Sequence, residues 1–172
     1  MNYTFQNAEK TDADQVFALI ESRIRWMDET GIEQWNKEDY WTIFPKEYYL
    51  KAIDEKRLFI LKDETGRTVC TGVLTFDDWC WEPDGISAAY LHNFAGAGDV
   101  KGAGSIYLEQ LESYLRASGR KVLRLDCSES SEKLNRYYEE RGYRAAGHVS
   151  IGIYYGIKRQ KFLQEAASPS GK

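Results

Sequence analysis

Four glycines stand close together in the second half of the chain: Gly96, Gly98, Gly102 and Gly104. A strand-like segment precedes them, and a segment with helical spacing follows. Backbone N–H groups in such a loop, together with the dipole of the following helix, can hold a phosphate group. The pattern therefore predicts an anion-binding loop, and the plain alternative is a flexible loop that binds no ligand.

The loop does not match the nucleotide-binding motifs that clustered glycines often indicate. The P-loop pattern fails because no Gly-Lys-Ser or Gly-Lys-Thr follows at the required distance. The dinucleotide pattern GxGxxG, started at Gly96, has Lys101 where its last glycine should stand. A kinase-type loop would join two strands, whereas this loop leads into a helix. The spacing therefore argues against these nucleotide-binding classes.

Composition limits the class of protein further. The chain has 172 residues, which is about one domain, and a net charge of −4, which argues against a protein that coats nucleic acid. Three Cys without a CxxC pair and two His predict neither a disulfide framework nor a metal site. No apolar run approaches the ~20 residues of a membrane helix. The polar start predicts no signal peptide, so we expect a cytoplasmic protein without a membrane partner.

Hydrophobic periodicity and turn residues predict the elements that must position the glycine loop. In chain order these are a strand near 3–5, a helix from about 13 ending at Gly31, a helix from Pro45 to about Glu55, a hairpin of 58–61 and 69–76, a strand 89–94, a helix 104–118, a strand 122–127, a helix capped by Ser128 or Ser130 and ended by Gly142, and a last strand 149–155. They predict one mixed α/β domain over residues 1–163, followed by a flexible tail over 164–172.

The segment from about residue 89 to 147 resembles the GNAT N-acetyltransferase superfamily. Its acetyl-CoA loop, Gln/Arg-x-x-Gly-x-Gly/Ala, corresponds to Asp99-Val-Lys-Gly102-Ala-Gly104. The downstream run Leu134-Asn-Arg-Tyr-Tyr-Glu-Glu-Arg-Gly-Tyr143 is similar to the second half of that family. The first half of the chain shares mainly the order of elements. The resemblance implies a mostly antiparallel sheet with one parallel, splayed strand pair and flanking helices.

The resemblance also implies acetyl-CoA as cosubstrate and no metal. Its expected contacts are Phe94, Ala95 and Gly96 along the pantetheine arm, Lys101, Gly102, Ala103, Gly104 and Ser105 at the diphosphate, and Ser131. Two positions depart from the family. Asp99 stands where Gln or Arg is usual, so Lys101 or a neighbouring arginine would have to offset its charge. Ser131 stands where many members carry Asn.

Tyr138 is the general acid that the resemblance implies, since it lies four residues before the Gly142-Tyr143 pair. It would protonate the thiolate that leaves. Its neighbour Tyr137 competes for the role, because both lie at helical spacing from Leu134 and spacing alone does not choose between them. The plain alternative is that both tyrosines are core aromatics.

A general base is expected because amines are mostly protonated near neutral pH. His92 is one candidate, on the same predicted strand face as Tyr90 and Phe94. A lone strand histidine is more often a structural residue. Glu82 and Asp84, in the loop before that strand, are weaker candidates, because loop acids are usually only solvated.

Indole and acidic side chains mark candidate positions for the acceptor. Trp35 follows the first helix, and Asp77 and Trp79 share one loop. Such groups attract a cationic amine, with cation–π contacts of ~0.5–2 kcal/mol. Trp35 is equally well interpreted as a core anchor.

Two functions from different classes remain open on the sequence. The first is an acetyl-CoA-dependent N-acetyltransferase that acts on a primary amine of a small molecule or peptide, as a monomer or a homodimer. The second is a degenerate relative that senses acyl-CoA or binds a partner. Tyr138 and the Gly102-Ala-Gly104 run favour the enzyme, whereas Asp99 and Ser131 favour the alternative.

Overall fold

The computed structural model describes residues 2–37 and 39–163. Contacts between Cα atoms group these residues into two compact units. The first contains residues up to 75 together with 91–109, and the second contains 76–90 and 110–163. The predicted tail, residues 164–172, lies outside the described part of the chain.

Seven strands and five α-helices follow one another along the described residues. In chain order they are β1 Thr4–Asn7, α1 Ala13–Thr30, α2 Tyr40–Ile43, α3 Lys46–Asp54, β2 Leu58–Lys62, β3 Thr68–Thr75, β4 Ala88–Gly96, α4 Ala103–Ala117, β5 Val122–Ser128, α5 Glu132–Glu139, β6 Arg144–Ile151 and β7 Tyr154–Phe162. A 3₁₀ turn, Lys10–Asp12, leads into α1. The strands form one sheet in the order β1-β2-β3-β4-β5-β7-β6.

The sheet contains the parallel pair that the sequence resemblance implied. β4 and β5 pair in parallel, from Ala88 opposite Val122 to Tyr90 opposite Arg124. The pairs β1–β2, β2–β3, β5–β7 and β6–β7 are antiparallel. The predicted mixed α/β fold with a mostly antiparallel sheet is therefore confirmed.

In the first unit, α1 buries one face against the sheet. Val16 and Ile20 on this face are fully buried, in one cluster with Leu58, Ile60 and Val73. Burial of each such side chain stabilises the fold by about 1.5–3 kcal/mol. The helix ends as predicted at Gly31, whose φ of +71° is favourable for glycine and whose N–H donates to the Met27 carbonyl.

In the second unit, Glu112 of α4 is a buried carboxylate that is paired with groups on other elements. It accepts a hydrogen bond from the Tyr143 hydroxyl at 2.8 Å and from Lys161 Nζ at 2.7 Å. Buried charges are stable only when they are paired in this way. These contacts connect α4 to β7 and to the segment after α5.

Two sequence predictions about the last third of the chain are wrong. The expected single strand 149–155 is divided between two strands: it covers the end of β6 and the start of β7, which are separated by a turn at Gly152, whose φ is +57°. Helix α5 begins after Ser131 rather than after Ser128 or Ser130, and those two serine hydroxyls bond to each other at 3.0 Å. The short helix α2 is an addition to the predicted elements.

Within the described residues, no helix combines the length and the apolar character needed to cross a membrane.

Candidate functional site

The glycine loop connects β4 to α4 in the first unit. Its entry is held by the Ala97 N–H, which donates to the Val69 carbonyl at 2.8 Å. Its exit begins α4, where the N–H groups of Ser105 and Ile106 donate to the Gly102 carbonyl at 3.1 Å and those of the preceding helical residues have no acceptor within the helix itself. Gly102 adopts a φ of +82°, and a Cβ placed on it would meet no atom within 4 Å. The loop therefore offers backbone donors beside open space, which suits an anionic ligand.

Asp99 is neutralised by an arginine that the sequence pattern does not mark. Arg67 Nη1 and Nη2 donate to the two carboxylate oxygens of Asp99 at 2.8 and 2.9 Å. The β2–β3 turn positions Arg67, because Asp63 Oδ1 accepts its backbone N–H at 3.1 Å. The hydrogen bonds from Arg67 lower the pKa of Asp99 below its ordinary value. The carboxylate that replaces the family's Gln or Arg thus carries its own counter-ion.

Asn93 interrupts β4 just before the predicted pantetheine contacts. It has a φ of +51°, a left-handed conformation that Asn tolerates better than most residues. The Tyr48 hydroxyl donates to Asn93 Oδ1 at 3.1 Å, and Asn93 Nδ2 donates to the Tyr40 hydroxyl at 2.9 Å. This clamp fixes the backbone ahead of Phe94, whose ring stacks on Tyr107 at 5.0 Å. Beyond the residue type of Asn93, no local pattern in the sequence indicates the clamp.

The base candidates differ in their surroundings. His92 Nε2 lies 3.2 Å from Thr75 Oγ1, and the ring is half-buried. Glu82 is exposed. Asp84 instead forms an ion pair with Arg124. The hydrogen bond that Arg124 donates within this pair lowers the pKa of Asp84. Asp84 is thus committed to a buried guanidinium, and the base role remains a prediction for His92 or Glu82.

Tyr138 lies in the core of the second unit. Only 5% of it is exposed, and its ring makes edge contacts with Tyr137 at 5.3 Å and Tyr143 at 5.6 Å. Burial raises the pKa of Tyr138 well above its usual value, so the hydroxyl keeps its proton. Tyr137 is only half-buried and lies under the Arg141 guanidinium at 3.6 Å. Of the two competing tyrosines, Tyr138 is therefore the one that faces the core.

Asn135 is a polar core residue that carries no signal in the sequence pattern. Its Nδ2 donates to the Ser128 and Ser131 carbonyls, both at 2.9 Å. Its Oδ1 accepts a hydrogen bond from Arg159 Nη2 at 2.8 Å. These bonds fix the backbone on which Ser131 lies, although the Ser131 hydroxyl itself does not cap α5.

The acceptor candidates lie in separate units. Trp35, in the first unit, is half-buried, and its ring centroid lies 5.0 Å from that of Tyr40. This packing agrees with the interpretation of Trp35 as a core anchor. In the second unit, Asp77 is exposed and 81% of Trp79 is exposed. The neighbouring Trp81 instead covers Arg124 at 4.6 Å. No three His, Cys, Asp or Glu side chains in residues 2–37 and 39–163 are grouped to hold a metal ion.

Comparison with solved structures shows that this fold is shared with proteins solved as acetyltransferases. A GNAT-family acetyltransferase from Streptococcus agalactiae 2603 superposes with a TM-score of 0.79 and 18% identity, over 94% of this chain and 96% of the other. The PaiA N-acetyltransferase of Thermoplasma acidophilum, solved in complex with coenzyme A, superposes with a TM-score of 0.73 and 13% identity, over 94% and 100%. At these identities the likeness concerns the fold.

The sequence comparisons identify the family. Residues 20–143 match the Acetyltransferase (GNAT) family, and the chain belongs to it. A curated relative, the uncharacterized N-acetyltransferase YesJ of Bacillus subtilis (strain 168), is 25% identical over 158 residues, covering 83% of this chain and 82% of the relative. Membership of this family indicates an acyltransferase that uses acetyl-CoA. The family resemblance inferred from the glycine loop is confirmed.

Proposed function

We propose that the protein transfers the acetyl group of acetyl-CoA to a primary amine of a small molecule or peptide by direct attack. The observation that carries this proposal is the glycine loop, since it combines backbone donors, open space at Gly102 and an Asp99 whose charge is balanced by Arg67. The solved complex of a structural relative with coenzyme A supports the same ligand.

The residues of the loop fit the cosubstrate. The segment of Lys101, Gly102, Ala103, Gly104 and Ser105 would hold the diphosphate, with the exposed Lys101 side chain adding positive charge. Phe94, Ala95 and Gly96, behind the Asn93 clamp, would follow the pantetheine arm, and Ser131 would add a contact from the start of α5. The thioester supplies the electrophilic carbonyl carbon.

The chain's own groups would handle two protons. An amine attacks only when it is unprotonated, so His92 or Glu82 would accept a proton from the bound ammonium or from the nitrogen after attack. A backbone N–H near Phe94 would stabilise the negative charge on the carbonyl oxygen. Tyr138 would donate its hydroxyl proton to the sulfur as the carbon–sulfur bond breaks. We propose Trp35, Asp77 and Trp79 as contacts of the amine.

Thermal unfolding with ligands tests this proposal first. A ligand that binds only the native state, at a hundred times its dissociation constant, adds ~2.7 kcal/mol to the free energy of unfolding. For a chain of this size we expect Tm to rise by roughly 5–10 °C with acetyl-CoA or CoA. ATP and NAD, at equal concentration, serve as controls and should leave Tm unchanged. No rise with CoA would contradict the proposal, whereas binding without turnover on any amine would favour a degenerate acyl-CoA sensor.

The Arg67–Asp99 pair gives a second test. In Arg67→Gln, Asp99 keeps its charge beside the diphosphate, and we expect the Kd for CoA to rise about 3- to 10-fold, since exposed charges a few ångströms apart interact by ~1 kcal/mol. The double variant Arg67→Gln/Asp99→Asn should regain the wild-type Kd. Both groups are exposed, so Tm without ligand should hardly change. Equal CoA affinity in the wild type and Arg67→Gln would show that Asp99 lies away from the ligand.

A further inference from the structure

Arg23 of α1 reaches the glycine loop from the first half of the chain. Its guanidinium carbon lies 4.0 Å from the ring centroid of Trp26. Its Nη1 lies 3.3 Å from the point that a Cβ on Gly98 would occupy. A Cβ at position 98 would require the guanidinium to shift slightly, so the glycine leaves room for it beside the loop backbone.

The guanidinium is half-buried without a counter-ion. In the described part of the chain, Arg23 forms no ion pair and no hydrogen bond to another residue, and Trp26 is its one ring contact. Burial lowers the pKa of Arg23, because taking a charge out of water disfavours the charged form. Buried guanidinium groups are normally paired, since five N–H donors lose their water. The partly buried guanidinium of Arg23 has no such partner among the described residues and is therefore available to an anionic ligand.

The other charges of the loop explain why this anion is not a protein carboxylate. Asp99, the residue after Gly98, has both oxygens occupied by Arg67. The pair Arg67–Asp99 is neutral, so Arg23 and the exposed Lys101 leave a positive charge at the loop. A guanidinium matches the oxygens of a phosphate in a two-pronged geometry that an ammonium does not offer.

We propose that Arg23 binds a phosphate group of the acyl-CoA cosubstrate, with Gly98 leaving room for the guanidinium beside the loop. This inference rests on the proposed function and adds to it a phosphate-binding residue outside the glycine motif. Position 99, where the family usually has Gln or Arg, holds an aspartate, and Arg23 of α1 supplies a positive charge instead. The phosphate is either part of the diphosphate or the 3′-phosphate of the nucleotide, and two ligands distinguish these cases.

The test is calorimetric titration of the full chain with CoA and with 3′-dephospho-CoA. The variants are Arg23→Gln, Arg23→Lys and a matched control, Arg25→Gln, which removes the same charge from an exposed position of the same helix. We expect Arg23→Gln to raise the Kd for CoA about 10- to 100-fold, the effect of losing charge-assisted hydrogen bonds. Arg23→Lys should lie between the wild type and Arg23→Gln, and Arg25→Gln should match the wild type.

The second ligand identifies the phosphate. If Arg23→Gln loses affinity for both ligands equally, Arg23 binds the diphosphate; if it loses affinity for CoA alone, Arg23 binds the 3′-phosphate. Either result supports the inference. An unchanged Kd for both ligands would overturn it, including the case in which only the KM of the amine rises, because the anion would then belong to the acceptor.

Two controls distinguish phosphate binding by Arg23 from a purely structural role. A wild-type chain that does not bind CoA would refute the proposed function together with the inference. Tm without ligand is measured for each variant, because a merely structural Arg23 would lower Tm in Arg23→Gln without a specific loss of CoA affinity. We expect Arg23→Gln to unfold within a few degrees of Arg25→Gln, since it removes a half-buried, unpaired charge.

Discussion

Tyr138→Phe should lower kcat by about 10²- to 10⁴-fold, the range in which a positioned general acid contributes. The variant removes one oxygen atom from a ring that packs between Tyr137 and Tyr143. The aromatic contacts therefore remain, and the Kd for CoA should stay within about twofold of the wild type. The measurement is steady-state turnover with acetyl-CoA and an amine found by screening.

The neighbouring tyrosine supplies a matched control. Tyr137→Phe removes the same atom one residue earlier, from a ring that is half-buried beneath Arg141. It should keep kcat within a few-fold of the wild type. A kcat that is unchanged in Tyr138→Phe, or lowered as much in Tyr137→Phe, would remove Tyr138 from the mechanism and restore its interpretation as a core aromatic.

The dependence of the wild-type rate on pH should also reflect the protonated state of Tyr138. Burial raises the pKa of Tyr138, so its hydroxyl stays protonated as pH rises through the range in which a free tyrosine ionises. The rate should therefore rise as the amine loses its proton, without an alkaline decline below about pH 10. A decline near about pH 8 that disappears in Tyr138→Phe would contradict the direction of this shift.

Gly102→Val should reduce CoA affinity by at least about tenfold. A β-branched side chain at a φ of +82° strains the backbone by about 1–3 kcal/mol and places a Cβ where the loop faces open space. The backbone N–H groups could then no longer approach the diphosphate closely. The measurement is calorimetric titration with CoA, alongside Tm without ligand.

Gly119 provides the matched control for this strain. It follows the other end of α4, has a φ of +76°, and a Cβ placed on it would likewise meet no atom within 4 Å. Gly119→Val should therefore lower Tm by a similar amount and leave the Kd for CoA unchanged. Equal losses of CoA affinity in both variants would mean that backbone strain alone, rather than closeness to the ligand, explains the effect of Gly102→Val.

Local patterns predict most of the fold. The helical spacing of Val16 and Ile20, ended by Gly31, predicts α1 because the apolar face and the left-handed cap are both local features. The same reasoning misses the hairpin β6–β7. Apolar residues continue to alternate through Gly152 and Ile153, whereas the turn depends on the positive φ of Gly152. The failure lies in local turn chemistry rather than in the pattern of apolar residues.

Residue types at short, fixed spacings were enough to indicate the family, the glycine loop and the candidate acid Tyr138. The charged groups beside the glycine loop, in contrast, are brought there by tertiary packing. Arg67 lies 32 residues before Asp99, and Arg23 lies still further from Gly98. Such pairs form because sheet and helix packing bring distant segments together, and no local periodicity records that. The counter-ion of Asp99 and the unpaired guanidinium of Arg23 are therefore properties of the fold.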